Sequence, residues 1–233
     1  MSRGESIDLL RADGSFPLLA ARRPGCGVAS LQIWVSAGSR AETDRPGSGA
    51  AHFVEHMVFK GTEKRTALDI NREAERIGGM LNAYTSYDRT VYHIDLPAAK
   101  VSAGIDLLGD FVWNPRFPSD GFAPERDVIL REMAMVRDDP DDFLFHAVVR
   151  EAFQSDLLRF PVIGDDRPFR ELTLDALKAF HETHYRGGGS FWVLGGDVGD
   201  PHFEQALGLA PGGTPERIDS GGIPRIEEVP RPV

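Results

Sequence analysis

Hydrophobic and polar residues alternate with two periods along the chain, and the change of period separates strands from helices. Alternation at every second position predicts strands in VASLQIWVSAG, MLNAYTSY, TVYHIDLP and SFWVLGGDV. Apolar residues at helical spacing predict helices in AAHFVEHMVF, TALDINREAERIGG, AAKVSAGIDLLGDFVW, APERDVILREMAMV, DDFLFHAVVREAF and LDALKAFHETHY. Two more strands, IDLL and FPLLAA, flank the turn-like RADGS and predict an opening hairpin.

Local signals predict where several of these elements begin and end. Thr66 is placed to cap the second helix, and Gly78 and Gly79 are placed to stop it. A turn at Asp88 joins MLNAYTSY and TVYHIDLP as a hairpin, and DP at residues 200–201 can start a last short helix. Helices and antiparallel hairpins without a regular βαβ alternation predict an α+β domain, with a mostly antiparallel sheet and helices packed on one face.

The composition changes near the end of the chain, and this change predicts the domain organisation. The segment PGGTPERIDSGGIPRIEEVPRPV, residues 211–233, contains five prolines and four glycines. Such a composition is typical of a linker or an extended strap and disfavours an independent fold. We therefore expect one domain over residues 1–210 and a linker over residues 211–233 that leads toward a second domain.

Charge and cysteine content exclude several kinds of partner and site. The net charge is -10, and the 26 basic residues are scattered without a concentrated stripe, which argues against a nucleic-acid partner. Cys26 is the only cysteine, so an intramolecular disulfide or a cysteine metal cage is impossible. The first residues, MSRGESIDLLRADGS, carry charges where a secretory signal is apolar, and no run approaches the ~18 apolar residues of a membrane span. We expect a cytoplasmic protein without a membrane partner.

The segment AAHFVEHMVFKGT, residues 50–62, carries the strongest chemical signal. On a helix, His52 and His56 are four positions apart and project from one face, so both imidazoles can reach a single metal ion. Glu55 lies beside them, where a carboxylate can take a proton from a metal-bound water. The order H-x-x-E-H is the inverzincin signature. The alternative interpretation is a helix with two partly buried histidines.

A catalytic zinc site usually has three protein ligands, so a distant carboxylate is needed. The best candidates lie in ERDVILREM, where Glu125 and Glu132 are seven residues apart and share a helical face. Considered alone, this segment also fits two solvated carboxylates on an amphipathic helix. A second histidine pair, His181 and His184, has no carboxylate at metal spacing, so it predicts a structural role at a helix end.

At this point the chain resembles the M16 metallopeptidases, the family of the mitochondrial processing peptidases, pitrilysin and insulin-degrading enzyme. The matching segments run from VSAGSRAE through GSGAAHFVEHMVFKGT, IGGMLNAYTSYDRTVYH and ERDVILREM to FHETHYRGGGSFWVLGGDV. The likeness covers about residues 15–200 and implies a LuxS/MPP-like metallohydrolase fold. It further implies one zinc ion bound by His52, His56 and Glu132, Glu55 as general base, Glu125 as an accessory carboxylate, and substrate contacts at Asn82, Ala83 and Tyr84.

The resemblance implies a zinc-dependent endopeptidase domain that hydrolyses short or unfolded peptides. A family subunit normally carries a second, similar domain that closes over the peptide, so we expect a second M16-like domain or subunit, or a homodimer in its place. Two alternatives belong to other classes. One is a non-catalytic peptide-binding or assembly subunit, because some relatives have lost their zinc motif. The other is an S-ribosylhomocysteine lyase, in which a cysteine such as Cys26 would lie near the metal.

Overall fold

The computed structural model describes residues 6–12, 17–186, 189–211 and 215–216. The strands are β1 (Ser6–Ala12), β2 (Pro17–Arg22), β3 (Val28–Val35), β4 (Met80–Thr85), β5 (Thr90–Pro97), β6 (Ser190–Gly196) and β7 (Pro215–Glu216). The helices are α1 (Ala50–Val58), α2 (Ala67–Arg76), α3 (Val101–Trp113), α4 (Ser119–Asp138), α5 (Pro140–Ala152), α6 (Asp166–Arg170), α7 (Leu174–Tyr185) and α8 (Asp200–Leu209). None of the described helices is long and apolar enough to cross a membrane.

The described strands form one sheet in the order β4-β5-β3-β6-β2-β1-β7. Every neighbouring pair is antiparallel except β2 and β6, which are parallel. The predicted α+β class and mostly antiparallel sheet are therefore confirmed. β4 lies at one edge and pairs with β5 alone among the described strands, so its outer side is open.

Helices cover the apolar face of this sheet, as predicted. Along β3 the residues at every second position are buried, which gives the strand one core side and one half-buried side. α3 packs over β3 and β5. It approaches closely at Gly104, where an added Cβ would lie 2.4 Å from the side chain of Leu96 and 2.7 Å from that of Leu31. Glycine at this position therefore sets the distance between helix and sheet.

Two helical boundaries differ from those predicted. The structure begins α4 at Ser119, before the predicted start at Ala123, and leaves Pro124 inside the helix. The first turn is supported by packing, because the Phe122 ring stacks on Phe53 with 5.1 Å between centroids. The short helix α6 was not predicted, and it is held by Phe169, which stacks on the other side of Phe53 at 5.3 Å. Tertiary packing thus determines where α4 begins and why the short helix α6 forms.

The predicted opening hairpin and the predicted linker each include residues that the structure does not describe. The antiparallel pairing of β1 with β2 confirms the opening hairpin, whereas residues 13–16 of its turn lie outside the described residues. Of the predicted linker, residues 211–233, the structure describes Pro211 and β7, which pairs with the end of β1. The division at residue 210 therefore stays a prediction.

Candidate metal and catalytic site

α1 carries the H-x-x-E-H motif, and a buried carboxylate fixes its first turn. The helix begins after Gly49, whose φ of 70° is the left-handed conformation that favours glycine. Glu42 accepts hydrogen bonds from the backbone N–H of Gly49 at 2.9 Å, from that of Ala51 at 3.1 Å and from the Ser48 hydroxyl at 3.1 Å. Burial raises the pKa of Glu42 to about 7, although these hydrogen bonds work in the opposite direction. Glu42 thus supplies the cap that Gly49 has no side chain to provide.

The opposite face of α1 is embedded in the core. Phe53 is fully buried between the rings of Phe122 and Phe169, and Met57 and Val58 are also fully buried. The helix also packs against α7, α4 and β4. The backbone of α1 is therefore held from several directions, and the motif side chains project from a fixed support.

The structure brings the two motif histidines together with Glu132. The His52 and His56 rings lie 4.6 Å apart, centroid to centroid. His56 Nε2 is 3.6 Å from Glu132 Oε2, and one ligand atom from each of the three residues lies within 4.8 Å of the others. This is the only such group of His, Cys, Asp and Glu side chains found in the described part of the chain.

Metal binding requires a neutral imidazole nitrogen, and the surroundings shift the protonation of the two histidines in opposite directions. Burial and, to a smaller extent, the charge of His56 lower the pKa of His52 to about 3, so His52 is neutral at pH 7. Its Nδ1 is buried and has no hydrogen-bond partner among the described residues. For His56, burial lowers the pKa, but the hydrogen bond to Glu125 and nearby carboxylates outweigh this and raise it above its usual value.

Glu125 lies behind His56 and orients its ring. Glu125 Oε1 is 2.8 Å from His56 Nδ1, while its other oxygen forms an ion pair with Lys60. With Nδ1–H donating to the carboxylate, the lone pair of Nε2 faces Glu132, which is the arrangement of a carboxylate–histidine–metal triad. Burial raises the pKa of Glu125, but the bonds from His56 and Lys60 outweigh it and lower the pKa below its ordinary value.

Glu55 is buried next to the histidines and is held by a strand. The Thr85 hydroxyl, at the end of β4, donates a hydrogen bond to Glu55 Oε2. Burial raises the pKa of Glu55, and the bond from Thr85 and the charge of His56 oppose this. A carboxylate with a raised pKa next to a metal-ligand set is suited to accept and return a proton near neutral pH.

The open edge of β4 runs beside this site. Ser86 N–H bonds to Arg89 C=O, so by antiparallel alternation the backbone groups of Leu81, Ala83 and Thr85 point away from β5. Asn82 Oδ1 accepts a hydrogen bond from the N–H of Ala83 at 2.8 Å, which covers one of these outward donors. Asn82 and Tyr84 are exposed on the face opposite the helices. The predicted substrate residues therefore lie on a free strand edge.

A cavity of about 300 Å³ connects the edge strand to the motif. It is open to solvent and is lined by Glu55, His56, Phe59, Lys60, Asn71, Leu81, Asn82, Ala83 and Glu125. A larger cavity of about 450 Å³ lies between α4 and α5, away from this constellation. We assign the chemistry to the smaller cavity because Glu55 and His56 of the motif line it.

The donor set fits a catalytic zinc ion. Two imidazole nitrogens and one carboxylate oxygen are the ligands of a known class of catalytic zinc site, which keeps a fourth position for water. The second carboxylate, Glu125, supplies the supporting hydrogen bond that metal-ligating histidines usually have. Glu55 is not part of the group of converging ligand atoms, and its Oε2 accepts a hydrogen bond from Thr85.

The remaining candidates lie away from the site. His181 is buried in α7, where its Nε2 lies 2.8 Å from the backbone oxygen of Val112 and its ring stacks on Tyr185, which supports a structural role. Cys26 lies before Val28, the residue at the opposite end of β3 from Val35. Seven strand steps at ~3.3 Å separate those ends by roughly 23 Å. Thr85 belongs to the Val35 end, through its pairing with Thr90, so Cys26 is far from the metal ligands.

Sequence reasoning missed three residues that the structure places around the motif. Lys60 follows His56 by four positions, a spacing that could have indicated a shared helical face. Glu42 belongs to the quoted segment VSAGSRAE, but its capping of α1 depends on a turn of the loop. Thr85 ends the predicted strand, and nothing local indicates that its hydroxyl reaches α1.

Comparisons with known proteins point to one family. The family profile described as Insulinase (Peptidase family M16) matches residues 19–166. The chain is 39% identical over 158 residues to a probable mitochondrial-processing peptidase subunit beta of Arabidopsis thaliana, covering 68% of this chain and 30% of that protein. It is 38% identical over 162 residues to an uncharacterized zinc protease of Mycobacterium bovis, covering 70% of this chain and 37% of that protein.

Solved structures share the fold. A protease from Helicobacter pylori matches with a TM-score of 0.84 at 25% identity, covering 95% of this chain and 53% of that one. A peptidase M16 inactive domain from Pseudomonas fluorescens matches with a TM-score of 0.81 at 20% identity, covering 92% and 53%. The chain thus spans about a third of the length of the two curated relatives and about half of the two solved chains.

Proposed function

The chain belongs to the insulinase family, peptidase family M16, and from this premise we propose that it is a zinc-dependent endopeptidase domain acting on short or unfolded peptides. The observation that carries the proposal is the convergence of His52, His56 and Glu132 beside Glu55. The ion-pairing of Glu125 with His56 and Lys60 supports it, because an orienting carboxylate is typical of a metal site.

His52, His56 and Glu132 would hold a single zinc ion. When bound, zinc lowers the pKa of a coordinated water and polarises a carbonyl group, which is the chemistry that peptide hydrolysis requires. Glu125 would keep the His56 ring in the tautomer and orientation that direct Nε2 toward the ion. Lys60 would keep Glu125 ionised, because its ammonium group pairs with the second carboxylate oxygen.

Glu55 would act as the general base. It would take a proton from the attacking water as the new C–O bond forms, and it would return that proton to the amine as the C–N bond breaks. The raised pKa of Glu55 suits this exchange, since burial makes the neutral acid less costly in the middle of the reaction. A base of this kind typically contributes about 100- to 10,000-fold to the rate.

The free edge of β4 would bind the peptide backbone. A substrate strand could pair with the outward groups of Leu81 and Ala83, and this pairing depends little on side chains. Asn82 would have to release the Ala83 N–H, after which its amide could bind the substrate instead. Broad tolerance of peptide sequence follows from a main-chain mode of binding.

We further propose that a second M16-like domain or subunit completes the enzyme, with a homodimer as the alternative. One support is length, because the two solved relatives are about twice as long as this chain. The other is α5, which exposes Phe143, Leu144, Phe145 and Val148 and buries none of its residues. A second domain over the site would exclude water and strengthen the charge interactions at the peptide carbonyl.

A non-catalytic peptide-binding or assembly subunit is the second candidate. It is favoured by one observation, which is that a solved neighbour of similar fold is described as an inactive domain. The two candidates differ in the fate of bound peptide, because the assembly subunit binds a peptide without cleaving it.

The test measures zinc content and cleavage of a mixed peptide library for the full chain, alone and with a second M16-like domain. Glu55→Gln should keep zinc and lose hydrolysis by about 100-fold or more, since it removes the base and leaves the ligands. Glu132→Gln should weaken zinc binding by at least about tenfold. Glu75→Gln, an exposed change on α2, is the matched control and should match the parent.

Each outcome separates the alternatives. Zinc binding with peptide binding but no cleavage, under any pairing with a second domain, would support the assembly subunit. Full zinc occupancy in Glu132→Gln would count against the third ligand. Turnover that rises only when a second domain is added would support the completed enzyme, and full turnover by a demonstrated monomer would contradict it.

A further inference from the structure

Thr85 lies where the edge strand meets the motif helix. It is the last residue of β4, half-buried, and its hydroxyl donates to Glu55 Oε2 on α1. The bond joins residues 30 positions apart and crosses from a strand to a helix. Thr85 is therefore a contact between the peptide-binding edge and the proposed base, and its side chain is separate from the metal-ligand set.

The hydroxyl proton of Thr85 has one well-defined acceptor. The neighbouring Thr90 is fully buried, and its own hydroxyl donates to the backbone oxygen of Ala37 at 3.0 Å. Thr90 thus already has Ala37 and Tyr185 as partners, and the 3.4 Å between the Thr85 and Thr90 oxygens is a long contact. Donation from Thr85 to the carboxylate is the stronger choice, since bonds to ionised acceptors are shorter and stronger.

The hydrogen bond to one oxygen of the Glu55 carboxylate also determines where the other oxygen lies. With Oε2 engaged by Thr85, the plane of the Glu55 carboxylate is fixed, and Oε1 remains to take the proton of the attacking water. Thr85 itself is stiff, because a β-branched side chain in a strand has few rotamers. Glu55 is thus fixed both by its own helix, α1, and by Thr85 on β4, and this double support keeps the orientation of the carboxylate constant between turnovers.

We propose that Thr85 is a positioning residue for the general base Glu55, and that it couples the peptide-binding edge of β4 to the proton-transfer step. The proposal rests on the proposed function of Glu55 as the base. A peptide that pairs along β4 immobilises the strand that also orients Glu55, so binding and alignment of the base occur through one element. We expect the effect on kcat and not on KM, because the Thr85 side chain bonds to Glu55 and lies outside the His52, His56 and Glu132 group that would hold zinc.

The closing experiment replaces the hydroxyl while keeping the shape of the side chain. In Thr85→Val, kcat for a fluorogenic peptide should fall by about 10- to 100-fold, the range typical of residues that support a catalytic group. KM should stay within about twofold, and zinc content should equal that of the parent. Thr85→Ser restores the hydroxyl and should recover kcat to within about threefold.

Matched controls separate positioning from a general loss of structure. Thr183→Val is the same substitution at an exposed site on α7, and it should leave kcat and zinc content unchanged. Urea unfolding of Thr85→Val and Thr85→Ser shows whether the fold is kept. An unchanged kcat in Thr85→Val, an effect confined to KM, or a serine variant no better than valine would overturn the proposal.

A spectroscopic measurement decides the case independently of turnover. In protein labelled with ¹³C-glutamate, the Glu55 carboxyl resonance is assigned by its loss in Glu55→Gln. At one fixed pH, Thr85→Val should displace this resonance in the zinc-loaded protein, and Thr85→Ser should return it. A resonance that does not move in Thr85→Val contradicts the proposal. If the resonance behaves as expected while the parent cleaves no peptide, the catalytic function fails and the contact between Thr85 and Glu55 stands.

Discussion

Helices α1 and α5 carry similar numbers of large apolar side chains, but the domain treats them in opposite ways. Seven of the nine residues of α1 are buried, whereas none of the thirteen residues of α5 is. Phe53 of α1 is fully buried between two rings, and Phe145 of α5 is 55% exposed. The difference teaches that α1, the helix with the H-x-x-E-H motif, is fully packed within this domain, while α5 presents apolar surface that the described residues leave uncovered.

The surroundings of the two helices follow the same contrast. α1 packs against α4, α7 and β4, so its side chains fill a continuous core. α5 packs mainly on α4 and a short 3-10 turn, Leu157–Arg159, and borders the 450 Å³ cavity. A contiguous apolar surface of this kind marks a site of interaction in soluble proteins. Stability should therefore depend on α1 and association on α5.

Truncating one phenylalanine on each helix gives the largest expected contrast. Phe53→Ala should lower the free energy of unfolding by about 3–5 kcal/mol, because it opens a cavity between Phe122 and Phe169. Phe145→Ala should change it by less than about 1 kcal/mol, since the ring is already more than half exposed. Urea unfolding measures both, and similar losses would show that the two helices contribute equally.

Acid should destabilise the support of α1 through His181 in α7. Burial lowers the pKa of His181 from 6.5 to about 4, so the folded protein binds this proton less readily than the unfolded chain. The contribution to stability is full above pH 6.5 and is lost as the pH falls through 4, by about 3 kcal/mol in all. Because Glu42 and His52 also have shifted pKa values, this contribution is measured as the difference in unfolding free energy between the parent and a variant without the His181 titration, at pH 7.5 and pH 4.5.

A non-titrating variant identifies the residue responsible. His181→Gln removes the titration, so the stability of the parent relative to this variant should fall between pH 7.5 and pH 4.5 by most of that amount. His146→Gln on α5 makes the same substitution at a half-buried histidine outside the core and is the control. An unaltered profile in His181→Gln would assign the acid sensitivity to other groups.

The caps of the two helices give the smallest expected contrast. Glu42→Gln should lower stability by about 1–2 kcal/mol, because it places an amide NH₂ among three donors in a buried cap. Asp139 caps α5 from an exposed position, by bonds to the N–H groups of Asp141 and Asp142. Asp139→Asn should cost less than about 1 kcal/mol, as both residues are good caps. Thermal unfolding compares the pair, and a larger loss for Asp139→Asn would reverse the contrast.

The local part of the site was predictable from sequence because helical spacing determines it. The four-residue spacing of His52 and His56 requires only that α1 be a helix, and the structure places both rings together. Glu132 required more, because its approach to His56 depends on how α4 packs against α1, and the family resemblance supplied that information. The helical period also located α2, and the predicted cap Thr66 is confirmed, since its side chain accepts from the N–H of Asp69.

The parts that sequence reasoning missed depend on contacts between distant segments. The apolar spacing predicted a helix from Ala123, but stacking of Phe122 on Phe53 extends α4 by a turn toward its amino terminus. α6 has only five residues, too few to show a period. The bond from Thr85 to Glu55 crosses from strand to helix, and no spacing within either element encodes it. The local sequence pattern thus predicts most helices and strands, whereas the contacts between them depend on side-chain packing that the pattern does not reveal.

The open edge of β4 has a consequence for the sizes of the fragments released. Outward backbone groups recur at every second residue, at Leu81, Ala83 and Thr85, so a paired peptide can slide only in steps of two residues without losing its bonds. If cleavage occurs on this edge, minor cuts should fall two residues from each main cut. Mass spectrometry of a partial digest would then show a ladder of fragments that differ by dipeptides.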